Sequence, residues 1–382
     1  MGIYLDNAAT TKPSREVINE VVKGMEQYYG NPSSAHSLGV NSDKKLDECR
    51  GLLAKTINCS SSEIIFTSGG SEGNNLILNG LLKENTHLIT TTFEHPSVKN
   101  TIEVLSKRGI SVTYLSLGRD GRIDLEELKE SIRKDTVLIS IMYVRNEIGV
   151  IQEIEQIGEI IKKKSSRAKF HVDAVQGYGK LFIDVKKMNI DALTASAHKF
   201  HGPKGVGLCY LSKNINLSPY INGGSQEKGL RAGTQNLPGV MGLTIAALEA
   251  DRNRNINFTN VLEIKKYMID KLMDIKDIRI NSPINDYYSP YILNVSFLGV
   301  RGEVLLHVLE AEQIYVSTGS ACTSKSKAGV IGSHVLESIK LNSKEIESAV
   351  RFSFSEETTK EEVDRTIEAI SSNLKFLRRI RR

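Results

Sequence analysis

The sequence predicts an α/β protein with a large domain on a mostly parallel sheet and a smaller α+β domain after it. Three observations carry this expectation. Short apolar runs alternate with amphipathic stretches as far as about residue 250, the pattern of βαβ units. The apolar runs are nearly continuous rather than alternating, as strands covered on both faces must be. Beyond that point the order changes to a mixture of helices and strands with no regular alternation. The expected boundaries are 14–255 for the large domain, with 1–13 and 256–382 forming the smaller one.

The elements follow in chain order. "SEIIFTSGG", "THLITTTFEH", "SVTYLSL", "TVLISIMYV", "KFHVDAVQ" and "IDALTASAHKF" read as buried strands that end in polar or Gly-rich turns. Between them, "SEGNNLILNGLLKE" and "IQEIEQIGEIIKKKSS" carry helical periodicity. The later region reads as a helix "NVLEIKKYMIDKLMDI", a strand "YILNVSFLG", a helix "RGEVLLHVLEAE", a loop around Cys322, a helix "NSKEIESAV", a strand "VRFSFS" and a last helix from Lys360.

Composition narrows the function classes. A hydrophobic share of 40% and a charged share of 25% place the chain among ordinary globular proteins and away from disordered ones. The net charge of +5 is too small and too dispersed for a nucleic-acid surface. The basic run "RRIRR" at the end reads as a solvated tail or a patch for an acidic partner. The four cysteines, Cys49, Cys59, Cys209 and Cys322, include no CxxC pair, which argues against a zinc or dithiol motif. No leader-like or membrane-spanning run is evident, so a cytoplasmic location is expected.

In open α/β sheets the chemistry gathers at the C-terminal strand ends. Three such ends stand out. In "FTSGGSEGNN" a strand stops at Gly69 and Gly70 and a helix opens at Ser71, an arrangement suited to an anion at a helix start and equally to an ordinary glycine turn. In "HVDAVQGYGK" Asp173 ends an apolar strand, where a carboxylate needs a partner, either a protonated heterocyclic nitrogen or a structural one. In "TASAHKFHGPKGVG" Lys199 follows a strand between Ser196, His198 and a Gly-Pro turn, either as a Schiff-base amine or as a solvated loop lysine. Together, an anion cup, a strand-end Asp and a flanked Lys match one cofactor, pyridoxal 5′-phosphate.

Between "YLDNAATT" at Tyr4 and "VRFSFS" at Val350, nine motifs in order then carry a family resemblance: "NPSSAHSLG", "TSGGSEGNN", "FEHPSV", "NEIGVIQ", "HVDAVQ", "SAHKFHGPKG", "GLRAGTQN", "ILNVSF" and "STGSACTS". The chain resembles the cysteine desulfurases of the NifS/IscS type, in the class V aminotransferase group of fold-type I pyridoxal-phosphate enzymes. The resemblance implies that Lys199 carries the cofactor, Asp173 pairs with its ring nitrogen, Gln176 bonds its phenolic oxygen and His95 stacks on the ring and shuttles protons. It implies a phosphate cup of Gly70, Ser71, Ser196 and His198, completed by Thr234 from a second subunit, and hence a homodimer. Arg351 would clamp the substrate carboxylate, with Asn31 and Asn146 assisting, Asn146 lying also near the cofactor. No metal site is implied.

The implied reaction takes L-cysteine to L-alanine and leaves the sulfur on Cys322 as a persulfide, for a sulfur acceptor in iron–sulfur cluster assembly or in tRNA or cofactor thiolation. Cys322 lies in "VSTGSACTSKSKAG", a run too small-sided to bury a thiol, which suits a carrier that moves. Lys325 and Lys327 nearby would favour the thiolate, which is the reactive form. Two departures from the family stand out. Arg145 in "VRNE" replaces a usual asparagine and either pairs with Glu147 or another acid or alters substrate preference. Ser225 in "GGSQE" stands where a third glycine is common. The rivals are a selenocysteine lyase or an aminotransferase of the same fold, and a non-catalytic sulfur-carrier scaffold. The retained Lys199, Asp173 and Cys322 argue against the aminotransferase and the scaffold.

Overall fold

The structure is a computed structural model and describes residues 2–318 and 334–380; Cys322, Lys325 and Lys327 lie outside these residues. The chain opens with a short strand, β1 (Ile3–Tyr4), and two helices, α1 (Arg15–Gln27) and α2 (Ser37–Thr56). Then come β2 (Ile64–Thr67), α3 (Gly70–Leu81), β3 (His87–Thr91), α4 (Pro96–Ser106), β4 (Ser111–Leu115), α5 (Leu125–Ser131), β5 (Thr136–Met142), α6 (Ile154–Lys164), β6 (Lys169–Asp173), β7 (Ala192–Ser196) and β8 (Gly207–Leu211). Strands β2 to β8 form one seven-stranded sheet in the order β2-β8-β7-β6-β5-β3-β4. The pairs from β4 through to β7 are parallel; β8 runs antiparallel to both its neighbours, β7 and β2. All six apolar runs read as strands form strands of this sheet, so the mostly parallel architecture is as expected. The strand β8, "GLCYL", was not among them.

The sheet is buried because helices cover both faces. Strands β2, β3, β7 and β8 have every residue buried, and so do all but one residue of β5 and of β6. Apolar residues facing either side are removed from water at roughly 25 cal/mol per Å², which is why these strands carry no polar alternation. The principal core includes Leu53 of α2 and Ile57 just after it, Ile139 and Ile141 of β5, Phe170 and Val172 of β6, and Leu193 and Ala195 of β7.

A long helix, α7 (Leu237–Leu272), leads out of this unit. Its first half, including Leu237, Met241 and Ala246, packs in the principal core; Val261, Met268 and Leu272 pack in a second core. Around that second core lie β9 (Ile278–Ile280), β10 (Ile292–Phe297), α8 (Gly302–Ala311), β11 (Ile314–Tyr315), β12 (Ala349–Ser353) and α11 (Lys360–Ile380), while α9 (His334–Ser338) and α10 (Ser343–Glu347) pack in a third cluster. A three-stranded sheet, β12-β10-β9, is antiparallel throughout, and β1 pairs with β11 in parallel. The N-terminal Ile3, Leu5 and Ala8 are buried in the second core, so the chain's first residues are bound to its last third. That third cluster, with Phe93, Ile148, Val150, Tyr288, Val335 and Ala349, joins the two units. It packs the segment after β5 against α9 and β12, beside the strand ends.

Candidate active site

A cavity of about 830 Å³ opens at the C-terminal ends of β2, β3, β5, β6 and β7. Gly70, Ser71, His95, Asn146, Asp173, Gln176, Ser196, His198, Lys199 and Arg351 all line it. Each arrives there for a local reason. Asp173 is the last residue of β6 and is 1% exposed. Its Oδ2 accepts from Asn74 Nδ2 at 2.8 Å and its Oδ1 from the Val175 N–H at 3.0 Å. A buried carboxylate needs such donors, and Asn74 supplies one from the first turns of α3.

Lys199 sits at the end of a 3-10 turn that directly follows β7. Its Nζ donates to the carbonyls of Ala8 and Ala9, both at 2.8 Å. The "DNAA" segment therefore reaches across from the second core to hold the amine. The same Ala8 carbonyl accepts from Gln176 Nε2 at 2.8 Å, while Gln176 Oε1 is buried without a partner.

The helix α3 begins at Gly70 with no side-chain cap, and its second residue, Ser71, lines the cavity together with Ser196 and His198. Two glycines are required at this turn. Gly69 has φ of 149°, and a Cβ on Gly70 would lie 2.6 Å from Val175 Cγ2. Burial and the adjacent Lys199 push His198 down to about 4, so its ring is neutral at physiological pH. His95 caps α4: its Nδ1 accepts from the Ser97 N–H at 3.1 Å. The ring hydrogen therefore sits on Nε2. Burial lowers its pKa, opposed by Asp173 and reinforced by Arg145 and Lys199.

Arg351 lies in the middle of β12 and is 5% exposed. It donates from Nη2 to Asp6 Oδ1 at 2.6 Å and from Nη1 to the Asn146 carbonyl at 3.0 Å. Its Nε is buried and unpartnered, as is Asn146 Oδ1. The backbone of Arg351 also exchanges both hydrogen bonds with Ser317, and Ser317 and Thr318 line the cavity. On the far side of residues 319–333, Val335 lines it as well.

Two expected residues fall elsewhere in this chain. Asn31 is exposed, and its side chain accepts from the Ser33 N–H at 2.9 Å. Thr234 is exposed on the loop before α7; neither residue lines the cavity. Arg145 donates from Nη2 to Glu147 Oε1 at 2.6 Å, the ion pair expected as one of its two readings. Four contributors had no assigned role: Asn74, Asp6, the carbonyls of Ala8 and Ala9, and Glu94. Burial pushes Glu94 up to about 8, despite bonds from Thr91 and the Met142 N–H. The motifs "YLDNAATT" and "GGSEGNN" were the available signal for the first three; backbone carbonyls and a helix-borne amide leave no other trace.

Pyridoxal phosphate fits this donor set. A buried, doubly bonded Asp173, an open helix start for a phosphate, the half-buried amine of Lys199 and the orphan Gln176 Oε1 line one space.

Comparisons with known proteins give the family. The model of the class-V aminotransferase family matches residues 3–366. A putative cysteine desulfurase IscS 1 of Bacillus subtilis is 40% identical over 380 residues, 98% of this chain and 99% of that protein. A cysteine desulfurase IscS of Dictyoglomus turgidum is 39% identical over 387 residues, covering 99% and 96%. Among solved structures, a NifS-like protein superposes with a TM-score of 0.92 at 36% identity, covering 98% of this chain and 100% of its own. SspA in complex with cysteine reaches 0.81 at 34% identity, covering 94% and 100%. The chain belongs to the class-V aminotransferase family and, within it, to the cysteine desulfurases.

Proposed function

We propose that the protein converts L-cysteine to L-alanine and keeps the sulfur on Cys322 as a persulfide for transfer to an acceptor protein. The convergence of Lys199, Asp173 and Arg351 on one cavity, with the chain toward Cys322 leaving from its rim, carries this reading. Cys322 follows Thr318 by four residues, which limits it to roughly 14 Å from that rim residue. A structural relative that binds cysteine supports the substrate.

Bound pyridoxal phosphate would supply an electron sink for charge developing at the substrate α-carbon. Lys199 would hold it through Nζ, Asp173 would keep its ring nitrogen protonated and Gln176 would bond its phenolic oxygen. Gly70, Ser71, Ser196 and His198 would receive the phosphate, His198 as a neutral donor. Arg351, held in place by Asp6, would orient the substrate carboxylate, assisted by Asn146. Lys199 Nζ is the proposed acceptor of the α-proton, and the Nε2–H of His95 is a proton source at the cavity wall. The Cys322 thiolate would take the sulfur, so that cysteine and a thiol give alanine and a persulfide.

The larger proposal includes two domains, 14–255 and 1–13 with 256–382, and a homodimer in which Thr234 serves the second subunit's cavity. The exposure of Thr234, away from the cavity of its own chain, supports that arrangement. The acceptor would be an iron–sulfur scaffold or a thiolation enzyme. A cytoplasmic location fits the absence, among the described residues, of a helix long and apolar enough to cross a membrane. The test is the protein with added cofactor and L-cysteine. Wild type should release alanine. Cys322→Ala should lose persulfide and sulfide release, and sulfide release by it at the wild-type rate would remove the thiol from the mechanism.

A further inference from the structure

The residue that departs from its family, Arg145, is in the cavity itself, 4% exposed. A guanidinium has five N–H donors in a fixed fork. Here Nη2 bonds Glu147 Oε1, Nη1 meets only the Met142 thioether at 3.7 Å, and Nε is buried with no partner. A thioether is a weak acceptor, and a buried N–H left without an acceptor is unfavourable. The pair with Glu147 therefore leaves much of the fork unused.

Arg351 shows the same pattern on the other side of residue 146. It bonds the Asn146 carbonyl and Asp6, and its Nε is also orphaned. Two guanidiniums with spare donors thus line one cavity. An amino acid with a single carboxylate can satisfy only one of them.

The charges nearby permit a second anion. The cavity lining holds four cations, Lys99, Arg145, Lys199 and Arg351, against the carboxylates of Asp6, Glu147 and Asp173. Glu94, the remaining acid on the wall, is held protonated at neutral pH by its burial and does not repel an incoming anion.

We propose that Arg145 is a specificity-determining residue that recognises a second acidic group, so that the cavity favours α-amino acids with an acid on the β-carbon. The proposal rests on Arg351 taking the α-carboxylate, as in the function proposed above. The acid bonds the Nε side of Arg145, the edge that Glu147 leaves open.

The experiment is calorimetric titration of the cofactor-loaded protein with L-aspartate and with L-asparagine, which have nearly the same size and differ in charge. Wild type should bind aspartate roughly tenfold more tightly or better, the scale of one hydrogen bond to a charged group. Arg145→Gln should bring the ratio to within about twofold, and Glu147→Gln, which leaves the arginine charge unopposed, should widen it. A wild-type ratio near one overturns the proposal, as does a ratio that survives Arg145→Gln or fails to widen in Glu147→Gln. Should Arg145→Gln not fold, the Glu147→Gln ratio decides alone. Alanine release from L-cysteine is measured on the same samples. Its absence in wild type would defeat the desulfurase reading, whereas alanine release with no aspartate preference would defeat only the role of Arg145.

Discussion

Replacing Asn74 by alanine removes one of the two hydrogen-bond donors to Asp173 among the described residues, the other being the Val175 N–H. The bond is 2.8 Å long and buried, and its acceptor is a carboxylate that is 1% exposed. Hydrogen bonds to charged groups contribute about 1.5–3 kcal/mol. The single substitution shows less than this, because Asn74 Oδ1 is itself buried without a partner and its removal offsets part of the loss. A double-mutant cycle isolates the pair. Asn74→Ala, Asp173→Ala and the double variant should give a coupling of about 1.5–3 kcal/mol in the cofactor-free protein. The chain has no tryptophan, so urea unfolding is followed by circular dichroism at fixed protein concentration. In the cofactor-loaded protein, Asn74→Ala should also weaken retention of pyridoxal phosphate, since the carboxylate it steadies is the ring-nitrogen partner. A coupling below about 0.5 kcal/mol, within the additivity expected of independent sites, would refute the view that Asn74 prepares Asp173.

Two more predictions concern groups that ligand-free stability reports. Glu227, 4% exposed, receives both terminal nitrogens of Arg50 at 2.8 and 2.9 Å and the Phe66 N–H at 2.8 Å. Glu227→Ala leaves the buried Arg50 with only the exposed Asp47, at 3.9 Å, as a carboxylate partner, so urea denaturation should show a loss of about 3–5 kcal/mol. Glu94 gives a pH signature. Its folded pKa of about 8 lies above the unfolded value near 4.5, so between those values the folded state holds the extra proton and stability falls as pH rises, by up to about 1.4 kcal/mol per unit. Glu94→Gln should therefore gain on wild type in melts from pH 5 to pH 8; parallel curves would contradict the assignment.

The parts of this site that could be read in the sequence are those where a charged residue interrupts an apolar strand end. Asp173 and Lys199 stand out because burial of either group is unfavourable without a partner. The same logic located the parallel strands, whose continuous apolar runs reflect cover on both faces. Strand β8 escaped because its antiparallel turn back from the Gly-Pro segment has no helix before it to complete a βαβ unit. Asn74 and the Ala8 and Ala9 carbonyls escaped because their roles depend on which segments the fold brings together, and Ala8 and Lys199 are joined across the chain by a single hydrogen bond. Arg145 was visible as a departure, but its orphan Nε exists only in the packed cavity.

The most direct measurement is a single-turnover reaction of cofactor-loaded protein with L-cysteine, counting alanine released against sulfur carried by the protein. The account predicts one alanine for each persulfide, with the added sulfur found by mass spectrometry on the peptide containing Cys322. It also predicts that Lys199→Ala forms neither product. Alanine without protein-borne sulfur, sulfur on Cys49, Cys59 or Cys209 instead, or undiminished turnover by Lys199→Ala would contradict it.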